Sequence, residues 1–185
     1  MAKKLVFRYG AMGASKTANA LMVRYNYSEK GMKAILLKPA CEMRDGEKIL
    51  RSRIGLSAEC NTVEEFFKNP DYSVDCIIVD EAQFLSADDI DRLSEIVDKK
   101  NITVICYGLR TDFQSHFFEG SRRLMEIADN IEEVPTICWC GKKARFNARI
   151  DKEGKIVRTG EQFKLGSNDQ YVSLCRKHYR DGKIM

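Results

Sequence analysis

An open parallel α/β sheet is the fold class that the sequence predicts, and three observations predict it. Short apolar, β-branched runs alternate along the chain with runs of helical period. Glycines and acidic pairs fall directly after the apolar runs, and near residue 131 the alternation stops and closely spaced cysteines begin. Strands that alternate with helices lie parallel, with the helices on the faces of the sheet, and such sheets gather their ligands at the carboxyl ends of the strands.

Taken in order, residues 4–9 predict the first strand, which runs through a small-residue loop into a helix over 18–29 closed by Gly31. Residues 33–37 predict a second short buried strand that ends at Pro39. Thr62 and Glu65 have the spacing of a capping box and open a short helix that stops before Pro70. Residues 74–79 are nearly continuous in β-branched side chains, as strands buried on both faces are, and Asp80-Glu81 stands at their end. Ser86 caps a helix in which Ile90, Leu93, Ile96 and Val97 share one face, and residues 102–107 form another buried strand ended by Gly108. Residues 131–137 predict a last strand. The loop after the first strand, the acidic pair and Gly108-Leu109-Arg110 are therefore expected at one edge of the sheet.

With 185 residues and 44% hydrophobic composition the chain has the material for one ordinary core and a small appendage. The net charge of +4 is scattered over pairs such as Lys3-Lys4, Lys99-Lys100 and Lys142-Lys143, which argues against a nucleic-acid partner. No apolar run approaches the roughly 18 residues that a membrane span needs, so no membrane partner is expected. The first residues read as a strand, not as a secretory leader, and a cytoplasmic location is expected. In that compartment the seven cysteines read as buried thiols or metal ligands.

The loop Gly10-Ala11-Met12-Gly13-Ala14-Ser15-Lys16-Thr17 approximates G-x-x-x-x-G-K-[S/T], in which backbone N–H groups of a loop and a first helical turn wrap a phosphate chain. In that pattern Lys16 reaches the β- and γ-phosphates and the Thr17 hydroxyl sits on magnesium. Ser15 stands where the pattern has its last glycine, a position that uses glycine's freedom of backbone dihedral. The plain alternative is a small-residue turn capping an ordinary helix. Asp80, a carboxylate at the end of a buried strand, suits the magnesium that bridges phosphates. Glu81 is then free to take the proton of an alcohol or water nucleophile. Without the loop, the pair would read as two acids facing solvent.

Cys138 and Cys140 point the same way on an extended strand, with Trp139 opposite, and Cys175 and His178 have C-x₂-H spacing. Four such ligands suit a closed, tetrahedral, structural zinc site, against the alternative of buried thiols beside an unrelated histidine. Between the two pairs lies a polar excursion over 142–174 that contains Gly154, Gly160 and Gly166. Within it, residues 145–150 and 155–158 predict a hairpin across Asp151-Lys152-Glu153-Gly154. A metal at both ends makes this excursion a loop with a fixed base, expected to close over an acceptor.

Together the phosphate loop, Asp80-Glu81-Ala82-Gln83-Phe84, Gly108-Leu109-Arg110-Thr111-Asp112-Phe113, Thr136-Ile137-Cys138-Trp139-Cys140-Gly141 and Tyr171-Val172-Ser173-Leu174-Cys175-Arg176-Lys177-His178-Tyr179 resemble the zinc-containing, P-loop thymidine kinases. They stand nearest a bacterial branch that carries the C-x-C-G pair and the G-L-R-T-D-F segment. The resemblance covers nearly the whole chain in order and is least distinctive over 45–75.

The resemblance implies a P-loop parallel sheet with flanking helices over 1–135 and a small zinc-bearing lasso domain over 136–185. It implies ATP, Mg²⁺ and structural Zn²⁺ as cofactors and thymidine as acceptor, with thymidine triphosphate as feedback ligand and a homotetramer as the assembly. Glu81 matches the general base, with Lys16 as its catalytic companion. Gly10, Ala11, Met12, Gly13, Ala14, Ser15, Lys16 and Thr17, with Asp80, Glu81, Ala82 and Gln83, match the nucleotide site, and Thr17 and Asp80 match the magnesium ligands. Met12, Phe84, Leu109, Phe113 and Phe118 match the pocket around the base, and Gly166 and Tyr171 fall in the lasso. For the three phenylalanines, ordinary core packing is the competing role.

Ser15 departs from the family pattern, as does Glu42, which replaces an aspartate in Lys38-Pro39-Ala40-Cys41-Glu42-Met43-Arg44, and Asn147 stands at the position that matches a pocket threonine of the family. Two other functions fit the same motifs. One is a nucleic-acid-stimulated ATPase that grips a strand with its zinc module, and the other is a nucleotide sensor whose catalysis Ser15 has weakened.

Overall fold

The computed structural model describes residues 3–43, 46, 48–162 and 170–185. Strand β1 (Leu5–Tyr9) leads through the small-residue loop into helix α1 (Lys16–Ser28). Gly31, at φ +69°, turns the chain away from that helix and toward β2 (Ala34–Lys38). A small antiparallel hairpin follows, β3 (Ile49–Arg51) with β4 (Ser57–Glu59), then β5 (Asn61–Thr62) and α2 (Val63–Lys68). Half of the expected capping box forms at α2: Thr62 accepts the Glu65 N–H at 3.1 Å, while the Glu65 carboxylate turns to Lys48.

Strand β6 (Cys76–Val79), a 3₁₀ turn over Ala82–Phe84, α3 (Ala87–Lys100), β7 (Thr103–Gly108), α4 (Glu119–Ile127) and β8 (Asn130–Glu133) complete the main sheet. Its order is β5-β2-β6-β7-β1-β8, and every neighbouring pair is parallel. β7 lies between the strand that feeds the loop and the strand that ends in Asp80-Glu81.

Successive residues of the central strands alternate between two cores, as the two-residue period of a strand requires. Leu5, Phe7, Ile77, Val79, Val104 and Cys106 face α3 and α4; Val6, Cys76, Ile78, Ile105 and Tyr107 face α1 and the β3–β4 hairpin. Each fully buried Ile, Leu or Val is worth about 1.5–3 kcal/mol over exposure, which ties the helices to fixed places on the sheet. On α3 the buried residues are the expected Ile90, Leu93, Ile96 and Val97.

Two elements differ from expectation. The single strand expected over 131–137 is two, β8 and β9 (Thr136–Ile137), with Pro135 between them. Proline has no N–H for a ladder, and the Val134 N–H spends itself on the Tyr9 carbonyl at 2.7 Å. Helix α4 was not legible, because its buried residues are Gly120, Ser121 and Leu124, a face with one large apolar side chain.

Beyond Pro135, β9 pairs with β10 (Lys143–Ala144), and β11 (Phe146–Ile150) is flanked by β12 (Ile156–Val157) and β13 (Gln170–Leu174) in an antiparallel sheet, followed by α5 (Arg176–Asp181). The expected β11–β12 hairpin forms around Asp151, whose carboxylate accepts the N–H groups of Glu153 and Lys155 at 2.9 and 2.8 Å. β13 makes part of the expected open excursion into sheet. Among the described residues no helix is long and apolar enough to cross a membrane.

At the start of α3 the Ser86 hydroxyl accepts the Asp89 N–H at 3.1 Å and the Asp89 carboxylate accepts the Ser86 N–H at 3.2 Å. Replacing Ser86 with Ala should cost about 1 kcal/mol and lower the melting temperature by roughly 2–4 °C for a chain of this size, read by urea and thermal unfolding. Unchanged stability would mean that this cap does not hold the helix.

Candidate active site and metal centre

The carboxyl ends of β1, β6 and β7 meet at one edge of the sheet because the three strands are parallel and in register. Gly108 makes the meeting close. A Cβ there would lie 2.7 Å from the Gln83 side-chain oxygen and 3.2 Å from the Gln83 nitrogen, and the Gly108 carbonyl accepts the Gly10 N–H at 3.2 Å. Gln83 fills the gap so left: its Oε1 accepts the Leu109 N–H at 3.0 Å and its Nε2 donates to Glu81 at 2.5 Å.

The loop itself contains two left-handed residues, Gly13 at φ +74° and Ser15 at φ +56°. Ser15 thus adopts the backbone that glycine would supply at that position, at a cost of roughly 1–2 kcal/mol, with its side chain exposed and away from the packed interior. Lys16 is buried, and its ammonium donates to the carbonyls of Gly10 and Ala11 at 3.3 and 3.0 Å. The Thr17 hydroxyl donates to Asp80 Oδ2 at 2.6 Å. Asp80 is fully buried, and its Oδ1 has no hydrogen-bond partner among the described residues. Burial, and then the neighbouring Glu81 carboxylate, push the Asp80 carboxyl well above the usual carboxylate range. An orphaned, buried carboxylate oxygen beside a threonine hydroxyl fits a hard divalent cation. Glu81 is also left-handed, at φ +53°, a strained placement of the kind found at functional sites.

A cleft of about 320 Å³ opens over these groups, lined by Met12, Gly13, Ser15, Lys16, Thr17, Glu81 and Leu109 among the expected residues. Arg51 at the end of β3, with Ser52, Arg53 and Ile54 of the turn that follows, also lines it. Sequence reasoning missed this part of the lining, because three-residue strands carry no readable period; two arginines within a serine- and glycine-bearing turn were the available signal. Lys38, fully buried, anchors the hairpin through the carbonyls of Gly46 and Ile49 and the Glu42 carboxylate, at 2.5, 3.1 and 3.1 Å. Glu42 therefore pairs with Lys38, and Arg44 of the same stretch lies outside the described residues.

The other expected residues are placed as follows. Gly10, Ala11, Ala14, Ala82 and Gln83 are buried. Phe84 meets Phe118 edge to face at 5.6 Å between ring centroids, and Phe113 is buried beneath the Arg149 guanidinium, 5.1 Å from its ring centroid. Tyr171 is half-buried on β13, opposite Arg149. Gly166 lies outside the described residues.

Away from the cleft, the ligand atoms of Cys138, Cys140, Cys175 and His178 all lie within 4.8 Å of one another. The Cys138 sulfur is 3.4 Å from His178 Nδ1, and the Cys140 and Cys175 sulfurs are 3.9 Å apart, spacings that tetrahedral bonds of about 2.3 Å to zinc would produce. Burial works against ionisation of Cys138, but N–H donors from Cys140 and Cys175 and the contact with His178 outweigh it and hold the thiol below its ordinary value. Trp139 stacks on His178 with centroids 4.2 Å apart. The remaining buried thiols are of another kind: burial pushes Cys76 up to about 11 and raises Cys60.

Residues 3–179 match the family model described as thymidine kinase. The thymidine kinase of Pasteurella multocida (strain Pm70) is 44% identical over 189 residues, covering 96% of this chain and 97% of its own. That of Coxiella burnetii (strain RSA 493 / Nine Mile phase I) is 42% identical, covering 97% and 96%. That of Enterobacteria phage T4 is 44% identical, covering 96% and 95%.

Two measurements follow from this geometry. Because the folded Asp80 carboxyl is raised, its contribution to the stability of the ligand-free protein is complete below about pH 4 and is lost as pH rises through its folded value. Asp80→Asn, which cannot ionise, should be more stable than the parent near pH 8, and the gap should shrink toward pH 4; a constant gap in urea midpoints would contradict the burial account. The purified protein should carry about one zinc per chain, and Cys175→Ser should lose most of it by elemental analysis; equal zinc content in both would remove Cys175 from the cluster.

Proposed function

The chain belongs to the thymidine kinase family, and from that premise we propose that it transfers the γ-phosphoryl group of ATP to the 5′-hydroxyl of thymidine, giving thymidine monophosphate and ADP. The observation that carries this is the sharing of one cleft by Lys16, Thr17 and Glu81, with the Thr17 hydroxyl hydrogen-bonded to Asp80. Phosphoryl transfer needs charge balance at the phosphates and a base at the acceptor, and this cleft holds both kinds of group.

In this proposal the N–H groups of the loop and the first turn of α1 bind the phosphates, and Lys16 exchanges the loop carbonyls for them. Arg51 and Arg53 face the same anions from the hairpin. Thr17 and Asp80 hold magnesium, which supplies positive charge against the phosphates. Glu81 takes the proton of the 5′-hydroxyl as the oxygen attacks phosphorus in line. Met12 and Leu109 wall the acceptor side, with Phe84, Phe113, Phe118, Gly166 and Tyr171 completing the enclosure of the base. A closed, apolar enclosure keeps water from taking the phosphoryl group in place of the alcohol.

The division of labour falls at residues 135 and 136, with nucleoside kinase chemistry before it and the zinc-bearing lasso after it. Zinc is the metal of the cluster in this proposal, supported by its three thiols and one imidazole. Homotetramer assembly, a cytoplasmic location and inhibition by thymidine triphosphate belong to the same proposal, supported by the motif resemblance.

Glu81→Gln should keep ATP affinity and lower thymidine-dependent ADP release by about 10² to 10⁴ in a coupled assay. Turnover equal to the parent would remove Glu81 as the base, and ADP release indifferent to thymidine would overturn the proposal as a whole.

A further inference from the structure

Two side chains of the C-terminal sheet meet the phosphate loop at a single residue. Asn147, buried on β11, accepts the Met12 N–H through Oδ1 at 2.8 Å and donates from Nδ2 to the Thr111 carbonyl at 2.9 Å. Ser173, directly opposite Asn147 in the β11–β13 register, donates its hydroxyl to the Met12 carbonyl. Both backbone polar groups of Met12 are thus held from the far end of the chain. The loop residues that follow, Gly13 and Ser15, are left-handed, so the held residue leads directly into the part of the loop with the most demanding backbone.

The clamp is connected to the metal ligands by two residues. Leu174, fully buried, and Cys175 follow Ser173 in the chain. The core beneath this sheet is small, with Ala144, Ala148, Ile150, Leu174 and Tyr179 packed around Cys138 and Cys175. Apolar burial on that scale gives little rigidity alone, and a metal tying β9, β13 and α5 supplies what is missing.

We infer that Asn147 and Ser173 are positioning residues that fasten the phosphate loop to the metal-closed sheet, so that zinc at the cysteine–histidine cluster and nucleotide at the loop bind with linked affinities. This rests on the proposal that the loop binds ATP. The physical path is continuous: metal to Cys175, Cys175 through Leu174 to Ser173, Ser173 and Asn147 to Met12. Linkage is reciprocal, so a loop held in shape by the sheet must, when occupied, hold the sheet in turn. If Asn147 and Ser173 served only as adhesive between two parts of the fold, their loss would lower stability and leave ATP and zinc indifferent to each other.

The test uses the zinc-loaded full chain and reads zinc release into a chromogenic chelator, with and without saturating MgATP, alongside calorimetric MgATP binding. In the parent, MgATP should slow release by about tenfold, within the usual range of coupling between sites. In Asn147→Ala/Ser173→Ala the slowing should vanish and MgATP should bind about tenfold more weakly. Ser173→Ala and Asn147→Asp each remove part of the clamp and should give intermediate slowing; they keep the question decidable if the double variant does not fold. Parent release that ignores bound MgATP, or slowing that persists unchanged in both single variants, would overturn the inference. No calorimetric binding of MgATP to the parent would overturn the nucleotide proposal itself, which separates the two failures.

Discussion

Gly108 is the constraint on which the site depends. β7 separates β1 from β6, so the phosphate loop and the acidic pair meet across the end of β7, where Gly108 leaves room for the Gln83 side chain. With hydrogen in place of a side chain, Gly108 lets Gln83 reach the Leu109 N–H and lets the Gly10 N–H bond to its own carbonyl. A Cβ there would sit 2.7 Å from the Gln83 side-chain oxygen and 3.2 Å from its backbone nitrogen, so the Gln83 side chain would have to turn aside and give up the Leu109 N–H. The hydrogen bond between Thr17 and Asp80 follows from that closeness.

The rest of the sheet tolerates what this edge does to stability. Asp80 is a carboxylate in a place that water does not reach, and Ser15 and Glu81 occupy backbone conformations that L-residues avoid. Each of those two backbone conformations costs on the order of 1–3 kcal/mol, comparable to one well-buried aliphatic side chain. The strands beneath supply many such side chains, with Phe7, Ile77, Ile78, Val79 and Val104 fully buried. Strain of this size is affordable at the strand ends because the strand centres are so regular.

Charge is arranged on both sides of the cleft by different means. On the loop side it is Lys16, held by backbone carbonyls. On the other side it is the arginine-bearing turn of a hairpin too short to stand alone, fixed by the buried ammonium of Lys38. An ammonium removed from water must be surrounded by acceptors, and meeting that demand with Gly46, Ile49 and Glu42 is what gives the hairpin a definite base. The C-terminal sheet contributes a third restraint at Met12, from a region with little apolar core of its own.

Much of this was readable from residue order. Strands β1, β2, β6 and β7 announce themselves because burial on both faces demands unbroken apolar, β-branched runs, and α3 announces itself through its cap and its apolar face. The metal ligands and the loop are local spacings, so they too survive in one dimension. What stayed hidden was everything whose meaning lies in a distant partner. Helix α4 buries Gly120 against the 3₁₀ turn and Ser121 against the Leu109 carbonyl; the β3–β4 hairpin is ordered by a lysine from another strand; β13 is a strand only because β11 lies beside it.

The sequence by itself determined the parallel α/β class, the phosphate loop, the acidic pair and the cysteine–histidine set, since each is specified by neighbours within a few positions. Tertiary structure alone decided that Arg51 and Arg53 line the same cleft as Lys16, that Glu42 pairs with Lys38, and that Asn147 and Ser173 hold Met12. Those contacts join segments from different parts of the chain, and a side chain's partner across such a distance is set by the packing of the whole sheet and not by its own residue type.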